Sequence, residues 1–252
     1  MQQAQSRLPS LRWIGRGALA LLAGLVAVGM SPALPALAGT WSAPVQLPGP
    51  CGSAVAVNQA GAMAAGGTFT AADGTTHVQV CTSPDGKTWP VHVAAGDYSK
   101  DPAPKVAADD AGQASLVWSQ TTRTEAATRS PSGTWSAPAV LASASSSSVA
   151  TAVDGAGNAI AVFGSSYSWH LAGGSWGPAA PLPAGSSGGL AVADPAGTFV
   201  YADSGGNAFT FAAGATSFGT GSRSRGSLGD LKIVPGRAVM LAADAVSTEP
   251  VN

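Results

Sequence analysis

A tryptophan preceded by small residues recurs along this chain, and its spacing constrains the fold more than any other feature. The copies are Gly39-Thr-Trp41, Lys87-Thr-Trp89, Gly133-Thr-Trp135 and Gly174-Ser-Trp176, and Phe218 holds a fifth position. Successive copies lie 48, 46, 41 and 42 residues apart. A period of this length indicates a fold built from repeated supersecondary units, such as the blades of a β-propeller.

A turn marker keeps step with the tryptophan. An Asp or Asn stands three residues before a Gly, between apolar runs, at Asn58, Asp109, Asp154 and Asp194, and a weaker fifth copy ends at Gly236. The Asp or Asn side chain can bond its own turn backbone, and Gly supplies a positive φ. Each marker therefore predicts a hairpin, for example between strands over 105–108 and 114–118, and between strands over 149–153 and 159–163.

Each period therefore contains two apolar strands joined by a tight turn, a polar third strand and a Trp-led fourth strand. We predict an all-β fold, a small β-propeller of about five four-stranded blades. Helices are excluded because Pro and Gly interrupt every window of helix length, despite the abundant Ala. A β-sandwich or an open β-repeat array is the structural alternative.

The two chain ends are expected to complete one blade together. Residues 41–47 have the sequence that ends a blade elsewhere, whereas the last repeat has no Trp-led strand after 237–241. We predict that this N-terminal strand closes the ring and covers exposed strand edges. Leu47, Leu141 and Leu182 each follow a Trp by six residues. This even offset predicts that Trp and Leu share one face of a strand.

The first 38 residues have the pattern of an export signal. Arg7, Arg12 and Arg16 precede an apolar run over 17–30, and a small-x-small sequence ends at Ala38. The run is shorter than the roughly 20 residues of a membrane-spanning helix. We therefore expect a signal peptide at 1–38 and a single β-propeller domain at 39–252. The mature protein would be secreted or periplasmic, and not bound to a membrane.

Charge and cysteine content narrow the partners and the compartment. Residues 39–252 carry nine basic and 13 acidic side chains, a net charge near −4. This charge gives no basic surface that would attract nucleic acid or anionic lipid. We also expect the protein to be a monomer. Cys51 and Cys81 would meet an oxidising compartment, so we predict a disulfide; two buried free thiols are the alternative. The closed loop of about 30 residues is worth roughly 3–4 kcal/mol.

One turn resembles a known repeat motif. Ser83-Pro-Asp85-Gly86-Lys-Thr88-Trp89 resembles the Asp-box of sialidase-like β-propellers, Ser-x-Asp-x-Gly-x-Thr-Trp, with one residue fewer between Asp and Gly. The segment 130–135 resembles an eroded second copy. The wider repeat over 39–252 is similar to that of bacterial secreted propellers.

The resemblance implies a turn at the blade periphery, with Asp and Ser bonding the loop backbone and Trp packed between blades. We therefore expect structural roles for Cys51, Cys81, Ser83, Asp85, Gly86, Trp89, Trp41, Trp135 and Trp176.

No catalytic set accompanies this architecture. The resemblance to sialidases would imply clustered arginines, an acidic Asp and a Tyr–Glu nucleophile pair, but neither Glu125 nor Glu249 is placed with a tyrosine. Ser187 lies in a Gly-x-Ser-x-Gly match that leads into a strand, not into the helix of a nucleophile elbow. The turn at Asp154 lacks the ligand pattern of a calcium loop.

The three histidines, His77, His92 and His170, are widely spaced. They show no metal-ligand spacing. His77 and His170 lie in strand-like runs, where we expect an exposed or hydrogen-bonded histidine. We therefore expect no cofactor and no metal.

The sequence thus predicts an exported, non-catalytic β-propeller that acts as a binding or structural module. A glycan or protein ligand would bind on one face or in the central channel. Tyr167, Trp169 and Tyr201 could stack on sugar rings if they are exposed, although core packing is the default for each. A sialidase-like glycoside hydrolase is the alternative function, and a surface protein without a ligand is a third.

Overall fold

A computed structural model describes residues 47, 51–52, 54–57, 63–98, 104–219, 222–223, 228–234, 237–242 and 246–250. The chain divides into two compact units, Met1–Ala43 and Pro44–Asn252, and all described residues belong to the second. The predicted signal peptide and the predicted strand over 41–47, apart from Leu47, lie outside the described residues. Those that are described form no helix, and so none long and apolar enough to span a membrane.

The described residues form five antiparallel sheets, each made of strands that are consecutive in the chain. The first contains β1 (Ala54–Val57), β2 (Met63–Thr70), β3 (Thr76–Ser83) and β4 (Val91–Tyr98). The second contains β5 (Lys105–Ala108), β6 (Ala114–Ser119), β7 (Thr124–Arg129) and β8 (Ala139–Ala142). The third contains β9 (Val149–Val153), β10 (Ala159–Phe163), β11 (Ser166–His170) and β12 (Ala180–Pro181). The fourth contains β13 (Leu190–Ala193), β14 (Thr198–Ala202), β15 (Asn207–Ala212) and β16 (Ser222–Arg223). The fifth contains β17 (Leu228–Val234), β18 (Arg237–Ala242) and β19 (Val246–Pro250).

The strands begin and end where the turn markers predict. The hairpin β9–β10 pairs Val153 with Ala159 and Val149 with Phe163, across the predicted turn at Asp154. Both strands are buried at every position, which explains their continuous apolar sequences, because each sheet is covered on both faces. The Ala-rich stretches form strands because small side chains let neighbouring sheets approach closely.

The sheets are arranged side by side through their first strands. β5 lies against β1 and β9, and β13 lies against β9 and β17. Consecutive blades of a propeller pack in this way, whereas a β-sandwich has two sheets face to face. The predicted all-β architecture of propeller blades is therefore confirmed, and the sandwich alternative is wrong. Closure of the ring by the N-terminal strand, as opposed to an open array, stays a prediction.

Apolar clusters fill the space between neighbouring sheets. Between the second and third sheets, Val117 and Ala126 pack with Ala161 and Phe163. Full burial of a side chain such as Val117 contributes roughly 1.5–3 kcal/mol. The stability of each sheet therefore depends on its neighbours.

The prediction that Trp and Leu of one repeat share a face is wrong. Trp135 packs against Val78 and Val80 of the preceding sheet, whereas Leu141 packs with Val149 and Phe163 of the following sheet. Trp135 forms only an isolated bridge to β7, and irregular residues separate it from β8. The even-offset rule fails because the segment is not one continuous strand.

Leu47 occupies a position that bears on ring closure. It packs, as Trp89 does, against the buried cluster of Cys51, Ala65 and Cys81 at the first sheet. Leu141 makes the corresponding contact on the third sheet, from the fourth strand of the sheet before it. Leu47 therefore lies where the fourth strand of a blade preceding the first sheet would place it.

The predicted disulfide is confirmed. Cys51 and Cys81 are bonded, with their Cα atoms 6.0 Å apart, and both are fully buried. The amide of Gln79 donates a hydrogen bond to Cys51 Sγ at 3.2 Å. The bond ties the segment before β1 to β3, two strands away in the first sheet.

Candidate functional site

A cavity of about 480 Å³ is lined by the first strands of all five sheets. Its apolar wall includes Val55, Val57, Val106, Val153, Val192 and Leu231. Because these strands are the inner edges of their sheets, each pairs with a neighbour on one side only. The cavity is therefore bordered by aliphatic side chains and by strand edges that pair with no further strand of their own sheet.

The β1 side of this cavity is the most exposed. Val55 and Val57 are 57% and 61% exposed, although both are aliphatic. Among the described residues, the lining includes no aromatic, Lys or Arg side chain, and its carboxylates are those of Asp109 and Asp110, which follow β5. This wall offers contact to an apolar group, and it lacks the rings and clustered charges that usually bind sugars or phosphates.

Rigid turns at the ends of the inner strands build one rim of the cavity. Asp154 is 1% exposed, and its carboxylate accepts hydrogen bonds from the backbone of Ala156 at 3.0 Å and of Asn158 at 2.9 Å. The Asn158 amide donates a third, at 2.8 Å. A Cβ atom on Gly155 would lie 2.7 Å from the Pro195 carbonyl oxygen of the next sheet. Neighbouring turns therefore touch around the rim.

The same arrangement recurs in other turns: an Asp carboxylate accepts hydrogen bonds from the backbone and the side-chain amide of the residue four positions later. We call it the carboxylate clamp. Asp109 binds the backbone and the side-chain amide of Gln113, both at 2.7 Å. Asp203 does the same with Asn207 at 2.8 Å, in the β14–β15 turn. Asp203 was not among the predicted turn residues, although Asp-Ser-Gly-Gly-Asn repeats the spacing of the turn at Asp154.

The segment that resembles an Asp-box forms the turn between β3 and β4. Asp85 Oδ1 accepts hydrogen bonds from the Lys87 backbone at 2.9 Å and from Ser83 Oγ at 3.3 Å. The Lys87 bond, above all, lowers the pKa of Asp85. Trp89 Nε1 donates to the Gly86 carbonyl at 3.1 Å, and Gly86 has a φ of 72°. The other Trp positions with predicted structural roles, Trp135 and Trp176, lie between sheets, and Trp41 lies outside the described residues.

The aromatic residues considered for sugar stacking are not available for it. Tyr167 and Tyr201 are buried in the cluster between the third and fourth sheets, and the half-buried Trp169 packs on the same cluster. The Tyr201 hydroxyl donates to the Gly188 carbonyl. Burial raises the pKa of Tyr201, and the nearby charge of Asp203 raises it further.

Glu125 is buried in β7 and already engaged. Its carboxylate accepts hydrogen bonds from Trp118 Nε1 at 3.2 Å and Gln120 Nε2 at 2.8 Å, and it pairs with Arg123 at 3.2 Å. The described tyrosine side chains belong to the next interface, not to this one. Across the described part of the chain, no three His, Cys, Asp or Glu side chains meet as metal ligands would.

Ser187 is exposed in the loop that leads into β13, as predicted. The glycines of this loop have conformational roles: Gly189 has a φ of 112°, and a Cβ there would lie 2.0 Å from the Ala202 carbonyl oxygen. The match to a nucleophile motif therefore reflects a tight backbone approach.

The histidines differ from one another. His77 bonds Thr75 Oγ1 at 2.9 Å, and His92 stacks on Trp135 with ring centroids 5.8 Å apart. His170 is buried, and its Nδ1 has no hydrogen-bond partner in the described structure. The expectation of a surface or hydrogen-bonded His170 holds for its Nε2, which lies 3.5 Å from Thr128 Oγ1.

Comparison with solved structures places this architecture among known folds. Selenomethionine-substituted virginiamycin B lyase from Staphylococcus aureus has a TM-score of 0.51 and 8% identity, over 79% of this chain and 83% of that one. The C-terminal WD40 domain of Sif2 has a TM-score of 0.50 and 15% identity, over 81% of this chain and 58% of that one. The fold is that of a β-propeller. Family models and curated proteins give no match. The finer resemblance to sialidase-like Asp-box propellers stays a prediction.

Proposed function

We propose that this protein is an exported, non-catalytic binding module that holds an aliphatic segment of a protein ligand in the cavity between its inner strands. The exposed aliphatic wall at Val55 and Val57 is the observation that carries this proposal. Burying one such Val side chain against a ligand contributes roughly 1.5–3 kcal/mol.

The chemistry of the cavity favours a peptide over a glycan. A sugar usually needs aromatic faces and several polar side chains, and the described residues that line the cavity include no aromatic ring. An extended peptide would place apolar side chains on the aliphatic wall. Its backbone would hydrogen-bond the inner edge of a strand such as β1.

The test is an array of peptides, some aliphatic and some charged, probed with the purified full-length chain. We expect selection of aliphatic peptides and at least a tenfold loss of affinity in Val57→Asp, because a carboxylate would be buried in the contact. Val140→Asp is the matched control, since Val140 is 55% exposed on the outer strand β8, away from the cavity.

Two outcomes would overturn the proposal. One is that no peptide binds, or that Val140→Asp weakens binding as much as Val57→Asp does. The other is selective binding in a parallel glycan array that Val57→Asp leaves unchanged. Mass spectrometry of the exported protein tests the export part, for which we expect an N-terminus at or near Gly39.

A further inference from the structure

One position of the turn marker, the residue that directly follows its Asp, lines the cavity between the inner strands. In the turns after β5, β9 and β13 this residue is Asp110, Gly155 and Pro195, and all three belong to the lining. Gly155 and Pro195 carry no polar side chain, whereas Asp110 carries a carboxylate. The rim is therefore chemically uneven, with a negative charge on the turn after β5.

The two carboxylates of this lining have different surroundings. Asp109 is 6% exposed, and its oxygens accept hydrogen bonds from the backbone and the side-chain amide of Gln113. Asp109 thus holds its own turn. Asp110 is exposed, so its carboxylate is accessible to a molecule that occupies the cavity.

Asp110 lies beside the aliphatic wall on which the proposed function depends. β5 lies against β1, and Val57, which ends β1, is 61% exposed. Val57 and Asp110 both line the cavity, and each lies at or just after the end of an inner strand. A ligand that covers Val57 therefore brings its neighbouring groups close to the Asp110 carboxylate.

The charge of the surroundings favours a cation at this point. The charged side chains among the described lining residues are those of Asp109 and Asp110, both negative. Residues 39–252 carry nine basic and 13 acidic side chains, so the field of the whole chain has the same sign. A positive group of the ligand is attracted here, and a carboxylate is repelled.

We propose that Asp110 selects the ligand by charge, so that the cavity binds an aliphatic segment with a cationic group beside it. This inference rests on the proposed function, because it concerns the ligand of the same cavity. The cation is the side chain of a Lys or Arg, or the free amino terminus of the peptide. Val57 contributes affinity for the apolar side chain, and Asp110 discriminates between ligands of different charge.

The experiment compares four peptides for binding to the full-length chain by titration calorimetry. Three have the sequence acetyl-Leu-Val-Leu-X-amide, where X is Lys, Gln or Glu, and the fourth is Leu-Val-Leu-Gln-amide with a free amino terminus. We expect the Lys peptide to bind about two- to fivefold more tightly than the acetylated Gln peptide, as an exposed ion pair would give. The Glu peptide should bind more weakly than the Gln peptide. Tighter binding of the free-amine peptide than of the Lys peptide would identify the amino terminus as the source of the cation.

Three variants assign the preference to Asp110. Asp110→Asn keeps the size of the side chain, and the Lys and Gln peptides should then bind alike, with the affinity for the Gln peptide unchanged. Asp110→Lys should reverse the order, so that the Glu peptide binds most tightly. Asp73→Asn is the matched control and should leave the preference unchanged. Asp73 is exposed in the β2–β3 turn outside this lining, and its bonds from Thr75 require only an oxygen acceptor.

The outcomes separate this inference from the proposed function. Equal affinities for all four peptides, or a preference for the Lys peptide that persists in Asp110→Asn, would refute the role of Asp110. A loss of preference in Asp73→Asn as large as that in Asp110→Asn would refute it too. The aliphatic site would still stand if the Gln peptide binds and Val57→Asp weakens that binding. Failure of all four peptides to bind would overturn both proposals.

Discussion

Replacing Asp154 with Ala should destabilise the protein far more than the same change at Asp194. The Asp154 carboxylate is 1% exposed and accepts three hydrogen bonds, two from the backbone of Ala156 and Asn158 and one from the Asn158 amide. The carboxylate of the half-buried Asp194 accepts a hydrogen bond from the Thr198 backbone at 2.9 Å.

The magnitude follows from the donors that lose their partner. A hydrogen bond to a charged acceptor is worth about 1.5–3 kcal/mol. Ala156 is exposed, so water replaces its partner, and the two donors of Asn158 account for most of the loss. We expect about 3–5 kcal/mol for Asp154→Ala and about 1–2 kcal/mol for Asp194→Ala.

Urea unfolding followed by tryptophan fluorescence measures both values. The first loss is a large fraction of the roughly 5–15 kcal/mol that stabilises a typical domain. An unchanged slope of free energy against urea would show that the variants differ in stability and not in mechanism of unfolding. Equal losses for the two variants, or less than about 1 kcal/mol for Asp154→Ala, would refute the view that the carboxylate clamp holds these turns.

Three other predictions concern the loops, the chain ends and pH. Gly189→Ala should lower the free energy of unfolding by more than about 3 kcal/mol, because its Cβ would lie 2.0 Å from the Ala202 carbonyl oxygen. Gly185→Ala, with a φ of 82° and no atom within 4 Å of the added Cβ, should lower it by only about 1–2 kcal/mol. Comparable losses of the two variants in urea unfolding would contradict this. Deleting 41–47 should lower the melting temperature by several degrees, because it removes the predicted closing strand and the contacts of Leu47 with the first sheet; an unchanged midpoint in a soluble monomer would mean that the ring does not close this way. Burial lowers the pKa values of His170 and His92, so the unfolded chain takes up protons before the folded protein does as the pH falls. The free energy of unfolding should therefore be unchanged above about pH 6.5 and decline below it. The variant His170→Gln should show a smaller decline in parallel urea titrations.

The repeat architecture could be predicted from the sequence because its markers act locally. Asp154 and Gly157 shape their own turn, and the apolar runs beside them have no other way to be buried. The hairpins therefore appear with the expected bounds. The even-offset rule for Trp135 and Leu141 failed because it assumes an unbroken strand, and the Pro138 before β8 interrupts this one.

The candidate sites could not be predicted in the same way. Val57, Val106 and Val192 belong to three different sheets, and only the packing of those sheets brings them to one cavity lining. Val57 is exposed because it lies on the inner edge of its sheet. The same apolar residue at a core position would be buried, and the sequence of β1 does not distinguish the two positions. Neither property is encoded within a single repeat.

The lengths of the outer strands bear on how molecules of this protein meet each other. β12 and β16 have two residues each, and β8 has four, so most outer edges are too short to recruit a strand from another copy. β4 is different, because it runs for eight residues and begins with Val91, which is 49% exposed. Self-association at high concentration should therefore start at β4, and a Lys or Pro introduced on that edge is the change that would suppress it.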